Sequence, residues 1–99
     1  MLSPANQYLI RLTEAHERSG LTFQEVAEAC DIDLSYVHYI LKGARRPQRD
    51  VLISMGFAYR LDRWEMDEIL LLAGLPPIGR NAIREYRRDL HQPREGAQE

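Results

Sequence analysis

The sequence predicts an all-α domain built from short helices. Three observations carry that reading. Apolar residues recur at three- and four-residue spacing, and no stretch sustains the apolar–polar alternation of a strand. Two boxes that open helices, Thr22-Phe23-Gln24-Glu25 and Asp62-Arg63-Trp64-Glu65, place a capping side chain three residues ahead of a glutamate. Gly20, Gly43, Gly74 and the Pro76-Pro77 pair fall where periodic segments run out.

The first helix is expected from Pro4 to Arg18, with Ser3 as its cap and Pro4 at the first helical position. Tyr8, Leu9, Leu12 and Ala15 lie on one face. The second helix starts at the Thr22 box and puts Val26, Ala27 and Cys30 inward before stopping at Asp31. Asp33 is a good N-cap for a third helix, residues 34–42, whose buried stripe is Val37, Ile40 and Leu41. Leu34, Ser35, Tyr36, His38, Tyr39 and Lys42 are left for its flanks and outer side. A short basic loop from Ala44 to Arg49 leads to a fourth helix from Asp50 to Tyr59, with Val51, Leu52, Met55 and Ala58 inward. The Asp62 box opens a fifth, with Met66, Ile69, Leu70 and Ala73 facing the core. A sixth helix is expected over 80–91, with Ile83, Tyr86 and Leu90 on one side, and a polar tail over 92–99. Trp64, Ile78 and the apolar side of that last helix exceed what five helices need. They serve either to pack it back on its own domain or to form a dimer face.

At 99 residues the chain holds one domain, and 44% hydrophobic against 28% charged residues is globular composition rather than disorder. The net charge of −2 argues against a uniformly basic nucleic-acid binder. Its distribution argues otherwise: residues 38–49 hold Lys42, Arg45, Arg46 and Arg49 with no acid among them. A basic edge on an acidic body can still meet phosphate. The single cysteine, Cys30, makes no internal disulfide and fits a reducing compartment. No apolar run is long enough to span a bilayer and the N-terminus lacks a signal pattern, so a cytoplasmic location is expected. No Gly-rich phosphate loop, HExxH or GxSxG occurs, and no cysteine–histidine cluster has metal spacing. The chain is therefore read as a non-enzyme without metal or cofactor.

The informative unit runs from Leu21 to Gly43. Two short helices are joined by the three-residue turn Asp31-Ile32-Asp33, so they must cross steeply, and Ile32 must point inward to pin the crossing. The second helix can then present its outer surface to a major groove about 12 Å wide.

This stretch resembles the lambda-repressor-like, or XRE-type, helix-turn-helix. Thr22 at the cap, Val26-Ala27, Ile32, Ser35, Val37 and Ile40 carry the likeness, followed by Lys42-Gly43 and Arg45-Arg46-Pro47. Leu52, Leu61 and the segment from Glu65 to Gly74 resemble the family's fourth and fifth helices. The resemblance covers about residues 8–75. It implies a five-helix DNA-binding domain over 1–79, here followed by the extra C-terminal helix. It also implies a regulator of transcription that binds double-stranded DNA as a homodimer. Leu34, Ser35, His38 and Tyr39 are the implied base-facing residues. Thr22, Phe23 and Gln24, with Lys42, Arg45, Arg46 and Arg49, are the implied phosphate contacts. Where the family commonly has glutamine to hold a phosphate and steady a base-reading side chain, this chain has Phe23. Leu34 likewise replaces a common glutamine, Asp31 a glycine and Leu41 a glutamate. An apolar Phe23 and Leu34 on an acidic chain also suit a protein-interaction module or antitoxin-like switch on the same fold, with a protein partner and little base reading.

Overall fold

A computed structural model of the chain describes residues 4–78. The described residues form five helices: α1 (Pro4–Ser19), α2 (Phe23–Cys30), α3 (Leu34–Leu41), α4 (Arg49–Ala58) and α5 (Arg63–Leu72). There is no strand among them. The cap at Ser3, the helix expected over 80–91 and the tail lie outside the described residues.

The helix starts follow local chemistry, with three corrections. At α2 the capping box is complete: Thr22 Oγ1 accepts the Glu25 N–H at 3.0 Å, and the Glu25 carboxylate accepts the Thr22 N–H at 2.9 Å. At α3, Asp33 occupies the N-cap with extended backbone, but its side chain makes no capping hydrogen bond. At α4 the helix begins at Arg49 with Gln48 as N-cap, ahead of the expected Asp50. At α5, Asp62 Oδ1 accepts the Glu65 N–H at 2.9 Å, but Glu65 turns its carboxylate to Arg18 of α1, 2.8 Å away, so only half the expected box forms.

The turn between α2 and α3 depends on Asp31, which adopts the left-handed conformation at φ 58°, ψ 48°. Aspartate is among the few residues with a Cβ that visit this region. The reversal lets the Ile32 N–H reach back to the Ala27 carbonyl at 3.0 Å, and Ile32 packs half-buried against the core as the turn demands. Beyond α3, Gly43 at φ 81° has Leu9 so close that a Cβ would sit 2.8 Å from its Cδ2. Only glycine satisfies both the backbone and the space there.

Every helix contributes to one core. Leu12 from α1, Val26 from α2, Val37 and Ile40 from α3, Leu52 and Met55 from α4, and Met66 and Leu70 from α5 are sealed from solvent. Burying each such side chain contributes roughly 1.5–3 kcal/mol. α1 lies against α5, while α2 packs on both α3 and α4. Among the described residues, that arrangement leaves one side of α3 without a neighbouring helix.

Candidate nucleic-acid interface

The site is built on that uncovered side. Val37 and Ile40 anchor α3 in the core. The helical repeat then turns Leu34, Ser35, Tyr39 and Lys42 to solvent, with Leu34 39% and Tyr39 47% exposed. Tyr36 is half-buried against the core, as a flank residue should be.

His38, the remaining base-facing candidate, is half-buried. Its ring meets Phe23 of α2 edge-on, with centroids 4.5 Å apart and planes at 74°. Phe23 is held on its other side by His16 of α1, at 4.9 Å and 63°. His16 Nδ1 lies 3.0 Å from the hydroxyl of Tyr59, the buried C-cap residue of α4. Burial pushes the Tyr59 phenol well above its ordinary range. Burial also pushes the His16 imidazole below its own, with the nearby Glu17 carboxylate offsetting part of the effect. His16 and His38 sit on separate helices, and nothing local in the sequence signals that they flank one phenylalanine. That juxtaposition comes from the packing of α1, α2 and α3.

The first turn of α2 is partly engaged within the domain. Thr22 is occupied by its capping box, and Gln24 Nε2 donates to Glu28 Oε2 at 3.0 Å. Both remain exposed. Phe23, expected among the phosphate contacts, is turned into the ring cluster.

The basic run from residue 42 to 49 divides. Lys42 and Arg45 stay exposed, the Arg45 guanidinium lying 5.9 Å from the centre of the Tyr39 ring. Arg46 stacks over the Tyr8 ring at 5.0 Å and donates to the Ala73 carbonyl at the end of α5. Arg49 donates through Nε to the Pro76 carbonyl at 2.8 Å and through Nη2 to that of Pro77 at 2.9 Å. Beside these, the Ile78 N–H donates to Asp67 Oδ1 at 2.9 Å and the Ile78 side chain is buried. Two arginines of the run thus hold the segment after α5.

Charge around α3 is uneven. An open depression at its start is lined by Gln24, Glu28, Asp31, Asp33 and Leu34. Its acids repel phosphate, whereas Lys42 and Arg45 attract it at the other end. The Cys30 thiol is half-buried, and burial pushes it up, away from a reactive thiolate. Among the described residues no group of three metal-ligating side chains comes together, and no helix is long and apolar enough to cross a membrane.

A family model described as a helix-turn-helix domain matches residues 7–69, from the first turn of α1 into α5. No curated protein matches the chain, and no solved structure does.

Proposed function

The chain belongs to the helix-turn-helix domain family, and on that premise we propose that it is a sequence-specific DNA-binding regulator of transcription that lays α3 in the major groove. One observation carries the reading: Leu34, Ser35, Tyr39 and Lys42 share an exposed surface of α3 beyond its buried stripe. Leu34 offers an apolar contact to a thymine methyl, and Ser35 a hydroxyl to a base edge or phosphate. Lys42 and Arg45 neutralise phosphates at the end of the helix, with the exposed Thr22 and Gln24 beside the backbone at the start of α2. Arg46 and Arg49 act first by fixing the loop that carries Arg45.

The regulator works in the cytoplasm as a homodimer on a two-fold operator, with half-sites about 34 Å apart. Trp64 and Leu71, seven residues apart on α5, are 71% and 60% exposed and supply an apolar stripe for the second copy. It is a binding protein rather than an enzyme.

A second reading, a protein-interaction module, is favoured by the exposed Leu34 beside the acids of the depression. Binding to random duplex at low salt, measured across a salt series, separates the two. The regulator binds weakly. A Lys42→Ala, Arg45→Ala double variant loses affinity and flattens the salt slope by about 2, one unit per lost phosphate contact. No binding by the wild type at any salt sinks the DNA reading.

A further inference from the structure

We propose that Phe23 is a positioning residue that fixes how His38 reaches from α3, and through it sets one base preference of the protein. The inference rests on the DNA-binding reading above and adds a mechanism to it.

Four rings touch in succession, from buried Tyr59 through His16 and Phe23 to His38 on α3. Tyr59, 6% exposed, anchors the series at the end of α4. Its hydroxyl meets His16 Nδ1 at 3.0 Å, His16 meets Phe23 at 4.9 Å, and Phe23 meets His38 at 4.5 Å. All three ring pairs are edge-on, with planes 63° to 74° apart. That geometry sets the positive edge of one ring against the negative face of the next.

The Tyr59 hydroxyl and His16 Nδ1 share a hydrogen bond at 3.0 Å. His16 is thereby fixed in orientation and supports Phe23 from behind. The Phe23 side chain has no atom that can hydrogen-bond a phosphate, so what that side chain contributes at the start of α2 is made sideways, onto His38. An unsupported histidine on a helix would sample several rotamers. One held by a ring presents its remaining edge in a single direction, which is what base reading requires.

Selection of preferred duplexes from a randomised library tests this, using full-length wild type, Phe23→Leu, Phe23→Tyr and His38→Gln. The wild type is expected to enrich a motif. His38→Gln should change the preference at one position of each half-site. Phe23→Leu should weaken discrimination at that same position, about two- to tenfold, while Phe23→Tyr, which keeps the ring, retains it. In the free protein, NMR should show the His38 ring protons shifted by the Phe23 ring current and in contact with it. Loss of that shift in Phe23→Leu is expected.

A folded Phe23→Leu protein that selects the wild-type motif unchanged overturns the proposal and leaves DNA binding standing. A wild type that enriches no sequence overturns the sequence-specific reading first, and this proposal with it. Should Phe23→Leu fail to fold, Phe23→Met takes its place. The absence of any ring-current shift at His38 in the wild type overturns the proposal without a variant.

Discussion

Gly56 lies directly against the sulfur of Met66: a Cβ placed on the glycine would stand 2.2 Å from Met66 Sδ. Gly56 belongs to α4 and Met66 to α5, and both residues are buried. Gly56→Ala should therefore destabilise the domain although alanine is the better helix former. Overpacking costs about 1–3 kcal/mol, while removing a helical glycine returns about 1 kcal/mol. The cost wins because Met66 is sealed, with Leu61 Cδ1 only 3.8 Å from the same point. Thermal unfolding should show a lower Tm. A raised one would mean that α5 shifts freely on α4.

Thr22 and Asp33 occupy equivalent N-caps but use different chemistry, so their alanine variants should differ. Thr22→Ala removes a hydrogen bond that is made and should cost about 1 kcal/mol. Asp33→Ala removes no capping bond and loses only the attraction of a carboxylate to the helix dipole, roughly 0.3–1 kcal/mol. Urea unfolding of the two variants side by side checks the order. Equal losses would place a capping bond at Asp33 in solution.

These cases show how far the sequence could be read. Caps, stop residues and apolar stripes act within a turn or two of chain, so all five described helices are legible, and so is the outward turn of Leu34, Ser35, Tyr39 and Lys42, whereas His38 is half-covered by Phe23. Glu65 was misassigned because its competitor, Arg18, is 47 residues away in sequence yet within hydrogen-bonding distance in the fold. The basic run from 42 to 49 looked uniform because the carbonyls that hold Arg46 and Arg49 belong to the end of α5 and the segment after it. Phe23 could be seen to depart from the family's usual glutamine, but its ring partners come from two other helices.

The split of the basic run makes a prediction about stability as distinct from binding. Arg49→Ala frees the carbonyls of Pro76 and Pro77 and should lower stability by about 1 kcal/mol, the net contribution of one typical hydrogen bond, because water takes up part of the loss at this exposed site. Arg45→Ala should leave stability within about 0.5 kcal/mol of wild type, as surface changes usually do. Denaturation midpoints measured without DNA decide this. Similar losses in both variants would show that the two arginines share one structural role.

Acid should weaken the fold through His16. Its imidazole is held below the ordinary value of 6.5, first by burial between Phe23 and Tyr59, with Glu17 acting in the opposite sense. The folded protein therefore binds the proton less readily than the unfolded chain. It follows that the unfolded state takes up more protons as pH falls through the window below 6.5. The stabilising contribution of neutral His16 is fully present above that value and is lost as pH falls through the depressed folded one. His16→Gln keeps a polar group near Tyr59 but cannot titrate. Tm measured from about pH 7 down to about pH 5 should fall more steeply for wild type than for His16→Gln, with the carboxylate contributions common to both cancelling in the difference. Parallel curves would mean that the imidazole is as well hydrated in the folded protein as in the unfolded chain. The series of rings would then not exclude water from His16.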